Sequence, residues 1–242
     1  MNEIENKPKN KTDKTIMNQN LYQILPLEYL DAILVNKKIR FNNIFMSWDD
    51  PYELYLFRNH PKHDDQLDEY IKRIQDSFFG QCWSSMRNSD ALWQIYSKDK
   101  RSVRIRTKLQ TLFDVIEQNA LGDYTPYYGW IKYETQKVIK EKKKNIINKK
   151  NWIKEAGVVK DSLFIKRNAF SYEKEFRVIL QTALNAENRS YLEINIDPEH
   201  FIDQIAFDPR MDFKLFECKK KIYEKWFSSK KIVRSDLYTN PK

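Results

Sequence analysis

The chain has 242 residues, with 43 Lys and Arg against 34 Asp and Glu, for a formal net charge of +9. Hydrophobic residues at 41% and charged residues at 32% describe a highly charged globular protein, and 14% aromatics exceeds what a disordered chain can keep in water. Only 4 glycines are present, and no G-x-G-x-x-G turn, G-x-x-x-x-G-K-[ST] phosphate loop or G-x-S-x-G elbow can be drawn from them, so a nucleotide here would be held by something other than a glycine-rich turn. Cys82 and Cys218 form no C-x-x-C pair, and with 3 histidines besides they provide neither a zinc framework nor a disulfide scaffold. No apolar run approaches the roughly 18 residues of a membrane helix, and no signal-peptide core is seen. The expectation is a reduced, cytoplasmic protein, and the Lys-, Asn- and Ile-heavy composition points to a bacterial source.

In chain order, residues 1–20 are almost entirely polar and are expected to form a disordered or partner-bound tail ahead of one domain over residues 21–240. Asn20 to Leu25 reads as a first strand stopped by Pro26. A helix follows, with Leu27, Leu30, Ile33 and Leu34 on one face. Ile39 to Phe41 is a second strand, and Ser47 to Glu53 an aromatic-rich loop. Leu67 to Phe78 has helical spacing, Phe79 to Ser84 reads as a buried strand, and Leu92 to Tyr96 as a short helix entered from Asn88, Ser89 or Asp90. Ser102 to Thr107 alternates Val103 and Ile105 with Arg104 and Arg106, the period-2 sign of a half-exposed strand. Leu109 to Ile116 predicts a helix, Trp130 to Tyr133 a strand, and 137–154 a basic helix with a narrow apolar stripe. Strands at Phe176 to Leu180, Tyr191 to Ile196 and Gln204 to Phe207 precede a closing helix through Leu215, Tyr223 and Phe227. Strands and helices alternate without a βαβ rhythm, which predicts an α+β fold with a mixed, split β-sheet flanked by helices.

Several phrases, taken in order, resemble the bacterial family catalogued as domain of unknown function 2971. Leu21-Tyr22-Gln23 stands for its first aromatic strand, with Gln23 where the family usually has Lys or Arg, and Asp49-Asp50-Pro51-Tyr52-Glu53 stands for its acidic-proline loop. Cys82-Trp83-Ser84-Ser85 matches a Cys-Phe-Ser strand, and Leu92-Trp93-Gln94-Ile95-Tyr96 a Met-Trp-x-x-Tyr helix. Tyr172-Glu173-Lys174-Glu175-Phe176-Arg177 matches a Glu-x-Glu-x-Arg strand, and Asp208-Pro209-Arg210 a basic-proline turn. Glu173-Lys174-Glu175, and Cys82-Trp83-Ser84-Ser85 before it, are also similar in order to the Ser-Thr-Ser strand and Glu-x-Glu element of mono-ADP-ribosyltransferases. That resemblance implies an ADP-ribosyltransferase-like fold, NAD as substrate and no metal.

The chemistry it implies is coherent. Breaking the nicotinamide glycosidic bond builds positive charge on the ribose, and a fixed carboxylate that bonds a ribose hydroxyl stabilises that charge most in the transition state. On this resemblance Glu175 is the catalytic carboxylate, Glu173 polarises an acceptor from the same strand face, and Ser84 orients the ribose. Tyr22, Trp83 or Trp93 would stack nicotinamide, and Gln23, Ser85, Tyr96 and Asp50 complete the expected cofactor set. A toxin-like effector of bacterial anti-phage defence is the implied setting.

Other readings stand beside it. Glu175 could simply pair with Arg177 or a lysine on an exposed strand. Asp50, Glu53, Glu173 and Glu175 could gather magnesium for a nuclease with a basic groove, and His60 to Asp65 carries donors but reads as a solvated loop. Lys142, Lys143, Lys144, Lys149 and Lys150, Lys219 to Lys221, and Arg104 and Arg106 are candidate nucleic-acid contacts. An acidic protein partner, or a silent binding module of a defence complex, would use the same basic surfaces.

Overall fold

The structure is a computed structural model that describes residues 17–57, 65–120, 123–147, 156–184 and 189–239. The expected α+β class holds, with strands that pair mostly antiparallel and helices between them. Most of the polar tail, the His60 to Asp64 stretch and the end of the basic helix beyond residue 147 lie outside the described residues. At the end of the expected tail, Met17 is buried, and the Gln19 carbonyl accepts from Leu109 N at 2.9 Å. The chain divides into two compact units.

The first unit takes in Arg40–Cys82 and Ala120–Leu192. Its central strand runs over Glu175–Thr182, and Val178, Ile179 and Leu180 are all fully buried, the continuous apolar run of a strand covered on both faces. It pairs antiparallel with Tyr124–Trp130, from Tyr124 opposite Thr182 to Trp130 opposite Phe176. Pro126 and Gly129 conceal this partner strand in the sequence, because both residues argue against a regular strand. Gly129 is required by packing: a Cβ there would lie 2.9 Å from the Phe164 ring. Trp130 to Tyr133 was expected to be one strand; the break at Ile131 instead separates Tyr124–Trp130 from a short strand, Lys132–Glu134. The latter pairs in parallel with Ile165–Arg167 as a separate two-stranded sheet. Helix Asp65–Ser77 turns Ile71 and Ile74 into a core shared with Leu54, Phe57, Phe78 and Ile179. The strand Phe78–Ser84, which enters from that helix, pairs with Lys38–Asn43 at Asn42–Gly80 and Asn43–Phe79. The basic helix spans Gln136–Ile147, and a further helix covers Ala156–Ser162.

The second unit takes in Trp83–Asn119, Glu193–Lys242 and the segment that ends at Ile39. The first strand, Asn20–Pro26, lies antiparallel to Ser102–Lys108 along its whole length. Gln204–Phe207 pairs on the far side of Ser102–Lys108 and is joined in parallel by Ile232–Arg234. Helices Leu27–Asn36, Asp90–Tyr96 and Leu109–Asn119 occupy the expected places, and Ser89 caps the second by accepting from Leu92 N. In the closing helix, Phe213–Tyr223, Phe216 and Tyr223 pack on Phe207, with ring centroids 5.1 and 5.8 Å apart.

One expectation fails here. The strand Ser102–Lys108 is not half-exposed, because Arg104 is only 4% exposed. Its guanidinium lies over the Tyr22 ring, 5.1 Å from the centroid, and donates to the Arg87 carbonyl and to Asn88 Oδ1. Alternating charge therefore does not mean a wet face when the charge is stacked and hydrogen-bonded.

Candidate active site

The carboxylates singled out in the sequence meet inside the first unit. The chain passes from a 3-10 turn, Asn168–Glu173, through Lys174 into the central strand. Strict strand alternation would have put Glu173 and Glu175 on one face, but Glu173 ends the turn and Lys174 sits in the left-handed region at φ 45°. With Lys174 in this conformation, both carboxylates reach the same cation. Lys166, from the short strand Ile165–Arg167, donates to Glu173 Oε2 at 2.6 Å and to Glu175 Oε2 at 3.0 Å, and lies 3.5 Å from Glu53 Oε1. Arg177 donates through Nε to Glu175 Oε1 at 2.5 Å, through Nη1 to the Leu163 carbonyl at 2.7 Å, and through Nη2 to Glu53. Its guanidinium also faces the Trp48 ring, 3.9 Å from the centroid. Register places Lys166 opposite Tyr133, whose hydroxyl accepts from Glu175 N at 2.9 Å.

Three carboxylates and two cations thus share one buried space, with Glu175 at 4% exposure. Burial of this kind is tolerated only when each charge is matched and hydrogen-bonded. Glu175 pairs with Arg177 and a lysine, as expected, but on a buried strand and not an exposed one.

The electrostatics separate the two glutamates. Burial alone would raise Glu175, but Arg177 and then Lys166 outweigh it and hold the carboxyl down to about 2. Burial wins at Glu173, whose carboxyl is raised although Lys166 opposes the shift. The Lys166 ammonium is held above its ordinary range: burial works against it, but Glu175, Glu53 and Glu173 prevail. Cys82 bonds the same carboxylate, and burial followed by the Glu175 charge keeps its thiol protonated.

Asp50 lies apart from this cluster and serves a turn. Its Oδ1 accepts from Tyr52 N at 3.0 Å, and the Glu53 amide donates to the Asp50 carbonyl at 2.9 Å, which presents Glu53 to Arg177. The Asp50 carboxylate is taken by Arg167, at 3.1 Å from Nε and 2.9 Å from Nη2. A magnesium site would need these oxygens free. Instead Glu53 Oε1, Glu173 Oε2 and both Glu175 oxygens hold an ammonium and a guanidinium, cations in the place a metal would take, so the cluster does not fit one, and no metal-holding group of three donors occurs among the described residues.

The other residues expected to hold NAD lie in the second unit. Tyr22 stands opposite Ser84 on one side and opposite Arg106 on the other, and Ser84 Oγ accepts from Met86 N at 3.0 Å. Gln23 is half-buried, and Ser85 and Tyr96 are exposed. Trp93 is fully buried, and Trp83 packs edge-on against Phe201 with centroids 6.0 Å apart, so both rings belong to the core. Of the basic candidates, Lys142 binds Glu134 at 3.1 Å, Lys143 is half-buried, Lys144 is exposed, and Arg106 lies 4.0 Å from Asp203. Among the described residues no helix is long and apolar enough to cross a membrane.

Lys166 escaped the sequence reading altogether, because a strand of three residues leaves no periodic trace. Arg177 was legible as the last letter of the Glu-x-Glu-x-Arg phrase and as a partner for Glu175.

Three solved structures of DarT from Thermus sp. 2.9 resemble the chain. The complex with NAD+ is 12% identical with a TM-score of 0.39, covering 91% of this chain and 98% of that one. The complex with carba-NAD+ is 11% identical with a TM-score of 0.39, covering 91% and 96%. The complex with ADP-ribosylated ssDNA is 12% identical with a TM-score of 0.37, covering 86% and 89%. No curated protein matches the chain in sequence. Residues 92–178, which include the Leu92–Tyr96 and Glu173–Arg177 phrases, match the model of the family described as Protein of unknown function (DUF2971), and over that span the chain is similar to this family.

Proposed function

We propose that this protein is an NAD-consuming, ADP-ribosyltransferase-like enzyme that acts by transfer or by hydrolysis. The observation that carries the reading is Glu175: the carboxylate of the Glu-x-Glu element is buried, ionised and fixed in direction by Arg177 and Lys166. A carboxylate held this way needs no reorganisation when positive charge appears beside it, which is the condition for strong electrostatic stabilisation of a transition state.

In this reaction the bond between ribose C1 and the nicotinamide nitrogen breaks, and its electron pair leaves with the ring as neutral nicotinamide. The ribose carries the positive charge until an acceptor hydroxyl or water forms the new bond to C1 and releases its proton. Glu175 stabilises the charged sugar, and Glu173, with its greater hold on protons, receives the acceptor's proton. We place the enzyme among toxin-like effectors of anti-phage defence, with nucleic acid or an acidic protein as partner; the exposed lysines of the basic helix suit either.

The test is nicotinamide release from NAD by the purified protein beside Glu175→Gln, each checked for folding by circular dichroism. Release by the wild type and at least a hundredfold less by the folded variant is expected. Equal release by the two ends the proposal. No release under any condition, with partners and phage triggers included, leaves a binding module in its place. A parallel plasmid and RNA digestion with and without EDTA separates a nuclease from both.

A further inference from the structure

The two carboxylates of the Glu-x-Glu element meet each other and share a cation. They come from different local structures, a 3-10 turn and a strand, and the cation they share is the Lys166 ammonium, 2.6 Å from Glu173 and 3.0 Å from Glu175. Arg177 reaches Glu175 and Glu53, whereas the cation bonded to Glu173 is Lys166. Lys166 is thus common to both carboxylates, and Arg177 adds a second cation at Glu175.

We infer that Lys166 is the positioning residue of the pair, tying Glu173 to Glu175 and dividing their work so that Glu175 stays anionic while Glu173 exchanges the proton. Turnover as its readout rests on the NAD-cleaving function proposed above, but the geometry does not. The titratable and charged groups that face the pair are Lys166 and Tyr133 from the two-stranded sheet, Glu53 from the turn, Arg177 from the central strand, Cys82 from the strand Phe78–Ser84, and Tyr172 from the 3-10 turn. With Lys166 removed, one guanidinium is left among three carboxylates. Opposite charge within about 4–6 Å is what keeps a buried carboxyl ionised, so both glutamates then bind protons more tightly. In the reaction, Glu173 takes the proton that the acceptor O–H releases as the C1–O bond forms, and returns it to water after product leaves.

The experiment follows the side-chain carboxyl carbons of 13C-labelled glutamates by NMR across pH, without NAD, in wild type, Lys166→Met and Lys166→Arg. Nicotinamide release is measured over the same pH range. In Lys166→Met the titrations of Glu173 and Glu175 move upward, and release at neutral pH falls about a hundredfold. In Lys166→Arg both titrations and the shape of the pH profile stay near those of the wild type. Should Lys166→Met fail to fold, Lys166→Met/Glu173→Gln restores the wild-type balance of charge in the cluster, and the Glu175 titration must still move upward. Carboxyl titrations unchanged in the folded variants overturn the inference whatever the NAD assay shows. Titrations that move, in a protein that releases no nicotinamide, uphold Lys166 as the positioning residue and remove only the NAD reading.

Discussion

Glu175 and Arg177 stand two residues apart on one strand, and the guanidinium of the second fixes the carboxylate of the first, Nε to Oε1 at 2.5 Å. The period of two puts both side chains on the same face, and there Arg177 spreads its remaining donors over Glu53 and the Leu163 carbonyl. One planar fork thus binds the strand, the Asp50–Glu53 turn and the loop before Ile165–Arg167 to one another. Truncating it leaves Glu175 and Glu53 buried with only Lys166 to share. Arg177→Met is expected to lower unfolding stability by about 3–5 kcal/mol in urea titrations. Arg177→Lys does not rescue it, since an ammonium cannot reproduce the fork.

Lys174 makes a second, local test. Its φ of 45° sets the direction of the strand relative to the turn, and so the meeting of Glu173 with Glu175. Lysine occupies this region at some strain, glycine does not, and a β-branched residue is strongly disfavoured. Lys174→Gly is expected to leave stability and nicotinamide release within about 1 kcal/mol and threefold of the wild type. Lys174→Val should cost about 2 kcal/mol and disorder the pair, seen as a shift of the Glu173 and Glu175 carboxyl signals.

Much of the fold and half of the cluster were legible in the sequence. Strands with uninterrupted apolar runs, such as Val178 to Leu180, and helices with clear stripes, such as Ile71 and Ile74, announce themselves through period. Tyr124–Trp130 was not legible, because Pro126 and Gly129 interrupt it and its order comes from seven residues of pairing with a distant strand. Arg104 was misread for a related reason: its charge is accommodated by Tyr22, which strand pairing brings near, and by Asn88 from a separate loop. Glu173 and Glu175 were found as a motif and Arg177 as a partner for Glu175, but Lys166 and the burial of the network were not, because a buried ion network is a tertiary fact. Lys166 alone is joined to residues seven and nine positions away and to Glu53, more than a hundred residues earlier.

Gly80 tests the packing beneath the site. A Cβ there would lie 2.6 Å from Ile44 Cγ2, 3.1 Å from Ile179 Cδ1 and 3.2 Å from the Trp48 ring, the ring that Arg177 faces. Branched and ring carbons held in a core cannot all retreat. Gly80→Ala is expected to lose about 1–3 kcal/mol by overpacking, measured as a lower urea midpoint. The near-ultraviolet circular dichroism of Trp48 should change with it, and a variant as stable as the wild type would show that the strand relaxes freely.

The two glutamates invite a contrast between identical substitutions made two positions apart. Glu175 is held from an ordinary 4.5 down to about 2, so folding favours its charged form. Its contribution is complete above pH 4.5 and is lost as pH falls toward about 2. Glu173 has the opposite sign: folding raises its proton affinity, so its ionisation weakens the folded state as pH rises above 4.5. Glu175→Gln therefore removes a favourable charge and leaves Glu53 as the carboxylate bonded to the buried Arg177 guanidinium, and should cost about 3 kcal/mol at neutral pH. Glu173→Gln removes a charge the fold resists and leaves Lys166 bonded to Glu175, and should change stability by less than about 1 kcal/mol. The acid limb of a plot of stability against pH should flatten between 4.5 and about 2 in the Glu175 variant and persist in the Glu173 variant. Lys166 contributes in the other direction: its raised affinity supports the fold below 10.5 and is lost as pH climbs beyond it. Tyr133, pushed up to about 12 by burial, adds to the same alkaline limb, so Lys166→Met should reduce that limb without abolishing it. Urea unfolding across pH for the wild type and the three variants measures all of this, and equal losses in the two glutamine variants would mean that the pair shares its charge evenly.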